Sequence, residues 1–518
     1  MNKANSLKTF LLLFLLGLSV RVLYYVFFSN ELIIGNDAYD YIKLSQQFAN
    51  GNFSEMLHPY WSPFYPFLLG LASIFTDSNI IPAITVSIIL GSFAVPLTYF
   101  LVKQSYGNHE AIIAAVMSAF YPHLLSSVFE VGTTNVYLIL IISALIIGWN
   151  AVKLNSTLRF FIIGILIGLA YLTRPEAIGY IFFFLAVIIY HNFRQSSLST
   201  KNTAQQLVVC LLGFIIFAAP YLYYLKQETG RWTISAKVNN NLFAGNYGET
   251  SLNDLPKESP VNRSVGNDFK VIFKAFFTNF HRFHKMLPYI FPPILLMLIG
   301  LGLFRQIWDK ERLKRELYIL SFALLTIFGY LVSVVEVPYF YVLLPIFIGW
   351  TARGIVEFIN WFGETATNFL PSDKFYLFNK TALIIVTIIL LNLYVLPLNA
   401  FMRPTESAWQ FSRYELRDAG LFLQENGISK PAVMAVDFRS AFYAKGEFIQ
   451  LKSSNLNEIL KQAEETKVDY IVFDERNLKE SQELHSLIEG TQTIGGFQLV
   501  YHANPQKGYK VSIYQALK

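Results

Sequence analysis

The chain has 518 residues, of which 54% are hydrophobic and only 15% charged, against roughly 25% charged in soluble domains; its mean hydropathy is +0.41. This profile excludes an ordinary soluble enzyme, and because the apolar runs are continuous rather than alternating it argues against a transmembrane barrel. The net charge of +6 reads as membrane orientation rather than nucleic-acid binding, and the single cysteine, Cys210, excludes an intramolecular disulfide or a cysteine-based metal cluster.

The first apolar run, Phe10 to Phe28, follows Lys3 and Lys8. It is long for a signal-peptide core, and Leu18-Ser19-Val20-Arg21 offers no small-x-small cleavage site, so it reads as a retained signal anchor. Beyond it lies Ile34-Gly35-Asn36-Asp37-Ala38-Tyr39-Asp40-Tyr41. Carboxylates at a membrane edge are costly unless solvated, paired or used. Asp37 and Asp40 are three apart and share a helix face, while Tyr41, Leu44 and Phe48 line an apolar neighbouring face, as in a helix lying on the membrane surface. Asn36 or Asp37 can equally serve as the N-cap of that helix. Glu55, His58 and the run Pro59-Tyr60-Trp61-Ser62-Pro63-Phe64-Tyr65-Pro66 make a polar and aromatic loop that suits a sugar pocket.

The hydropathy pattern predicts about eleven spans: 9–28, 80–102, 110–127, 132–151, 159–173, 176–191, 206–225, 287–304, 317–335, 338–357 and 381–402. Region 63–75 is apolar but short and led by proline, as in a re-entrant or surface helix. With the N-terminus in the cytoplasm, the cytoplasmic loops carry Lys103, Lys153, Arg159, Arg194, Lys201 and the cluster Arg305, Lys310, Arg312, Lys314 and Arg315. Segments 29–79 and 226–286 and everything after 403 then lie outside. The transmembrane unit thus covers 1–403. From 404 to 518 charged residues become common, and strands near 432–436, 470–473, 498–501 and 509–514 alternate with helices near 412–426, 456–466 and 484–488. This pattern predicts a small extracytoplasmic α/β domain without a phosphate loop or nucleophile elbow.

Four stretches in order resemble the GT-C superfamily of lipid-linked-sugar glycosyltransferases, especially bacterial relatives of protein O-mannosyltransferases and of the lipid A aminoarabinose transferase. They are Gly35 to Tyr41; His58-Pro59-Tyr60-Trp61-Ser62-Pro63 through Gly70; Gly168-Leu169-Ala170-Tyr171-Leu172-Thr173-Arg174-Pro175-Glu176; and Thr229-Gly230-Arg231-Trp232 with Asn241 to Tyr247. The resemblance implies an all-α polytopic membrane domain, a polyprenyl-phosphate-sugar donor, an acceptor hydroxyl on protein, lipid or glycan, and a bacterial plasma-membrane location. It implies a hexosyl or pentosyl transfer that inverts the anomeric centre.

Such a donor carries its own leaving group, so one general base and cations for the departing phosphate suffice, and a glycosidase-type dyad is not required. By the resemblance Asp37 is the base, and Asp40 a candidate for substrate hydroxyls. The superfamily's acid at the outer start of the fourth span is replaced by Asn135, with Glu130 a turn earlier as a candidate substitute; no Arg precedes Tyr339 in Glu336-Val337-Pro338-Tyr339. Candidate binding residues are therefore His58, Glu130, Arg174, Glu176, Arg231, Arg282, Lys285 and Tyr339. Arg174 and Glu176 can also simply pair, and outer Lys and Arg can reach headgroups. No cofactor is required, though some relatives use a divalent metal ion near the lipid phosphate; His281, His284 and Glu55 are the candidate ligands. Two other readings remain. A polymerase or ligase acting on polyprenyl-diphosphate glycans would use His281, Arg282 and His284. A transporter would need polar groups midway through several spans, which are scarce here.

Overall fold

The computed structural model describes residues 3–28, 35–76, 80–194, 200–237, 265–366, 413–478, 481–490, 494–503 and 509–517. It divides into two compact units, Met1–Phe27 with Asp40–Val395 and Phe28–Tyr39 with Leu396–Lys518.

The first unit is helical. Among the described residues seven helices are long and apolar enough to cross a membrane: Asn5–Phe27, Ile81–Ser105, Thr134–Leu154, Pro175–Arg194, Thr200–Thr229, Lys310–Val332 and Val337–Phe362. Phe273–Ile290 and Pro293–Phe304, bent by 92°, make an eighth if they form one span. The expected count of eleven is not confirmed. Expected span 110–127 is a 13-residue helix, Asn108–Phe120, followed by the short Pro122–Ser126. Tyr121, before proline, is extended, which ends the first helix. Its length of about 20 Å falls short of the roughly 30 Å hydrocarbon core. Expected span 159–173 is the 15-residue helix Thr157–Tyr171, about 22 Å long. The expected span 381–402 lies outside the described residues. The short apolar stretch at 63–75 is the 10-residue helix Phe64–Ser73.

Close helix contact depends on glycine where backbones meet. A side chain on Gly164 would run into the Cys210 carbonyl, and one on Gly213 into that of Phe161, so helices Thr157–Tyr171 and Thr200–Thr229 pack backbone to backbone. Arg21, fully buried in the first span, donates to the carbonyls of Gly17 and Leu124 at 3.3 Å each. It thereby ties that span to the short helix Pro122–Ser126.

The basic loop read as an orientation signal does more than attract headgroups. Arg305 pairs with Glu357 at 2.9 Å, Arg353 with Glu110 at 2.6 Å and also with Glu357, and Arg312 with Glu316 at 3.7 Å. Tyr106 and Trp350 donate to Glu316 at 2.6 and 3.1 Å. Glu110, Glu316 and Glu357 are all buried, and a buried carboxylate is tolerated only when paired and hydrogen-bonded.

In the second unit, strands β1 (Ala432–Ala435), β2 (Glu447–Gln450), β3 (Tyr470–Asp474), β4 (Phe497–Ala503) and β5 (Val511–Ala516) form one sheet of order β2-β1-β3-β5-β4. β1 is parallel to β2 and β3, and β5 is antiparallel to β3 and β4. Alternation sends Val433, Val472 and Ile513 to one core with Leu416 and Leu423, and Met434, Ile471 and Phe473 to the other with Ile459 and Leu487. Helix Leu456–Thr466 matches the expected bounds, while β2 was not expected: it is a four-residue strand with no buried side chain to give it an apolar pattern. In this unit the ring of Tyr39 packs tilted against that of Phe438, centroids 4.8 Å apart.

Glu357→Ala leaves Arg305 and Arg353 without their shared carboxylate. We expect a loss of about 3–5 kcal/mol, read as a clear fall in melting temperature of the detergent-purified protein; an unchanged melt would show that the pairs contribute nothing net.

Candidate active site

Three breaks between helices, two of them marked by proline, assemble the site in the first unit. Arg174 precedes Pro175 and is extended (φ −146°, ψ 125°), as a residue before proline prefers. Its amide still closes the preceding helix on Ala170 O at 2.8 Å. Pro338 opens the 3-10 segment Val337–Leu343, which presents Tyr339 and Tyr341. Glu130 sits in the turn Ser127–Glu130 before the helix Thr134–Leu154, and Ser87 holds its carbonyl at 3.2 Å.

The Arg174 guanidinium lies between two rings, 4.5 Å from the centroid of Tyr339 and 5.3 Å from that of Tyr137, an arrangement in which ring faces attract the cation. Nε faces Glu176 Oε1 at 3.6 Å. Tyr330 donates to the same oxygen at 3.5 Å and stacks on Tyr339 at 5.2 Å. Nη1 is buried and makes no hydrogen bond among the described residues. Arg174 thus lies over the ring of Tyr339, a residue with no Arg beside it in the chain, and the simple Arg–Glu pair anticipated from sequence is present as part of a larger cluster.

Glu130 lies within electrostatic reach of Arg174 and accepts from Thr134 Oγ1 at 3.4 Å. Burial raises its carboxyl to about 7, against the opposing pull of Arg174, Thr134 and Tyr341. Asn135 is buried and spent on structure: its Oδ1 accepts from Ser127 at 3.0 Å and its Nδ2 donates to Ser127 O at 3.2 Å.

The other expected residues are elsewhere. Asp37 is exposed in the first turn of helix Asn36–Ala49 and belongs to the second unit, whereas Asp40 is partly buried and belongs to the first. His58 Nδ1 accepts from the amides of Tyr60 and Trp61 at 3.1 and 3.3 Å, so it braces the aromatic turn. Burial, Lys237 and Lys43 lower its proton affinity. Glu55, Arg231, His281, Arg282, His284 and Lys285 are exposed. Among the described residues no three His, Cys, Asp or Glu side chains come together as a metal set. Sequence reasoning missed Tyr137, Tyr330, Tyr341 and His123, since aromatic residues within apolar runs resemble ordinary core. The one available signal was a histidine directly after Tyr121-Pro122.

Residues 58–224 match the family model described as dolichyl-phosphate-mannose-protein mannosyltransferase. No curated protein sequence matches the chain significantly. Among solved structures, ArnT from Cupriavidus metallidurans bound to undecaprenyl phosphate aligns with a TM-score of 0.55 at 10% identity, over 96% of this chain and 97% of that one. The apo oligosaccharyltransferase of Archaeoglobus fulgidus gives 0.52 at 15% identity, over 98% and 74%. The same archaeal enzyme tethered to an acceptor peptide gives 0.51 at 15% identity, over 100% and 74%. Both neighbours are GT-C glycosyltransferases. The chain is thus a multi-pass membrane protein with the GT-C fold, and its residues 58–224 carry the sequence pattern of the dolichyl-phosphate-mannose-protein mannosyltransferases.

Proposed function

We propose that the protein transfers a sugar from a polyprenyl-phosphate-linked donor to an acceptor hydroxyl at the extracytoplasmic membrane face, with inversion. The observation that carries this reading is the largely buried Arg174 guanidinium, flanked by two rings, with Nη1 making no hydrogen bond among the described residues, in a chain whose fold is shared with a transferase bound to undecaprenyl phosphate.

In this reaction the acceptor oxygen forms a bond to the anomeric carbon as the bond from that carbon to the phosphate oxygen breaks. The electron pair leaves with the phosphate, and the acceptor proton goes to Asp37, whose exposed position in the first turn of its helix leaves the carboxylate accessible. Arg174 Nη1 meets the charge that develops on the leaving phosphate, while Tyr137 and Tyr339 fix the guanidinium plane in advance. The concentration of Arg305, Lys310, Arg312, Lys314 and Arg315 in one loop supports a cytoplasmic location for that loop. Sugar identity and acceptor class are set by contacts beyond this minimal set.

With purified protein in liposomes and a polyprenyl-phosphate sugar as donor, Asp37→Asn lowers turnover by about 10²–10⁴-fold while membrane insertion and melting are kept. Near-normal turnover of this variant would remove Asp37 from the mechanism. Arg174→Lys keeps the charge but not the planar stacking; the expected loss is about 10²-fold in kcat/KM. A polyprenyl-diphosphate glycan turned over faster than the monophosphate donor would contradict the donor class.

A further inference from the structure

The helix Phe273–Ile290 carries His281, Arg282, His284 and Lys285, which the reaction outlined above leaves unused. Its side chains fall into three rows at helical spacing. Ala275, Asn279 and Ile290 are buried. That row is fastened to the protein: Asn279 Nδ2 donates to the carbonyls of Leu331 and Ser333 at 3.1 and 3.0 Å, and beside it Phe283 packs on Phe340, ring centroids 4.9 Å apart. Phe273, Phe277 and Phe280 form a second row and are 57, 53 and 51% exposed. One residue further on runs a polar row, Lys274, Thr278, His281 and Lys285, of which Lys274, His281 and Lys285 are exposed. The stretch 273–290 holds three Lys or Arg residues and no Asp or Glu. An aromatic row beside a basic row, on the side turned away from the protein, is the pattern of a helix lying between lipid headgroups and acyl chains.

The direction of the helix agrees with this pattern. The helix that follows, Pro293–Phe304, is wholly apolar and packs against the spanning helix Val337–Phe362. A side chain on Gly302 would meet the Trp350 carbonyl and the Gly354 amide, one on Gly354 would meet the Leu298 carbonyl, and Arg305 pairs with Glu357 at 2.9 Å. Gly302 and Gly354, like Arg305 and Glu357, are 52 residues apart, so the two helices run side by side in the same direction. Between Phe273–Ile290 and Pro293–Phe304 the chain turns by 92°. A helix at right angles to one that follows a span runs along the membrane plane. We propose that Phe273–Ile290 lies on the membrane surface, with Phe277 and Phe280 among the acyl chains, and that Lys274, His281 and Lys285 bind the phosphate groups of anionic phospholipids. The bent pair is then a surface helix followed by a partial span, not one broken span. The aromatic row sets the depth, and the cations add an attraction that grows with the negative charge of the leaflet. Neither Arg174 nor the sugar donor enters this assignment.

Depth and charge are tested separately on the full-length protein in liposomes, in a Cys210→Ala background that removes the chain's one cysteine. Spin labels are placed by Phe273→Cys, Phe277→Cys and Phe280→Cys, and their depths are read from relaxation by oxygen and by a water-soluble nickel chelate. Along a span, positions 273 and 280 would differ in depth by about 10 Å. The expected result is one depth, inside the lipid, for all three labels; a steady change of about 10 Å, or labels that face water, overturns the surface helix. For charge, a fluorophore on Thr278→Cys, between the cations, is quenched by nitroxide-labelled phosphatidylglycerol or phosphatidylcholine. Phosphatidylglycerol is expected to quench at the lower mole fraction, and Lys274→Gln and Lys285→Gln each reduce that preference about fivefold. Raising salt from about 0.1 to about 1 M shortens the screening length from about 10 to about 3 Å and removes most of it. Equal quenching by the two lipids, or a preference that the double variant keeps, overturns the headgroup assignment. A preference abolished by undecaprenyl phosphate but not by unlabelled phosphatidylglycerol makes a polyprenyl phosphate the occupant and overturns it as well. Melting temperatures close to that of the unlabelled protein confirm that each variant is folded.

Discussion

A guanidinium buried beside a membrane is a severe constraint, and the site is organised around meeting it. Arg174 is held by the faces of Tyr137 and Tyr339 and by the Glu176 carboxylate, and Tyr330 braces both Glu176 and Tyr339. Each contact is modest: a cation–π pair contributes about 0.5–2 kcal/mol. Together they fix the charge in one orientation without consuming all its donors. Such a preorganised cation is what the transfer of a phosphate-linked sugar asks of a protein, since no reorganisation is needed when the leaving group takes up its charge.

Proline does the placing. Arg174 stands before Pro175, His123 after Pro122 and Tyr339 after Pro338, so each polar or aromatic group emerges where a helix is interrupted. Non-helical backbone at a membrane edge is tolerated when it is buried in protein, and the bonds Ser87 to Glu130 O and Asn135 to Ser127 O occupy carbonyls that the breaks expose. The breaks that build the site are also the ones that shorten the helices, so chemistry and irregular topology have one cause.

This explains what could be read from the chain and what could not. The long spans were legible because their apolar runs are continuous, and the helix Leu456–Thr466 because its amphipathic period is strong. The count of eleven spans is not confirmed among the described residues, where a run of apolar residues hides a turn at Tyr121-Pro122. Arg174, Glu176, Glu130 and Tyr339 were each legible as candidates, but their meeting was not, because it joins three stretches far apart in sequence. No Arg stands beside Tyr339 in the chain, and the placement of Arg174 over its ring depends on a contact between stretches 165 residues apart. His123, Tyr137 and Tyr341 carry no local pattern that separates them from core aromatics, and β2 was lost because four part-exposed residues give no periodicity to read.

The most direct test of this account is an experimental structure of the protein with undecaprenyl phosphate bound. The account predicts the phosphate within hydrogen-bond distance of Arg174 Nη1, with Tyr137 and Tyr339 still flanking the guanidinium. A phosphate bound at the exposed Arg231 or Arg282, with Arg174 Nη1 still unpaired, would contradict it.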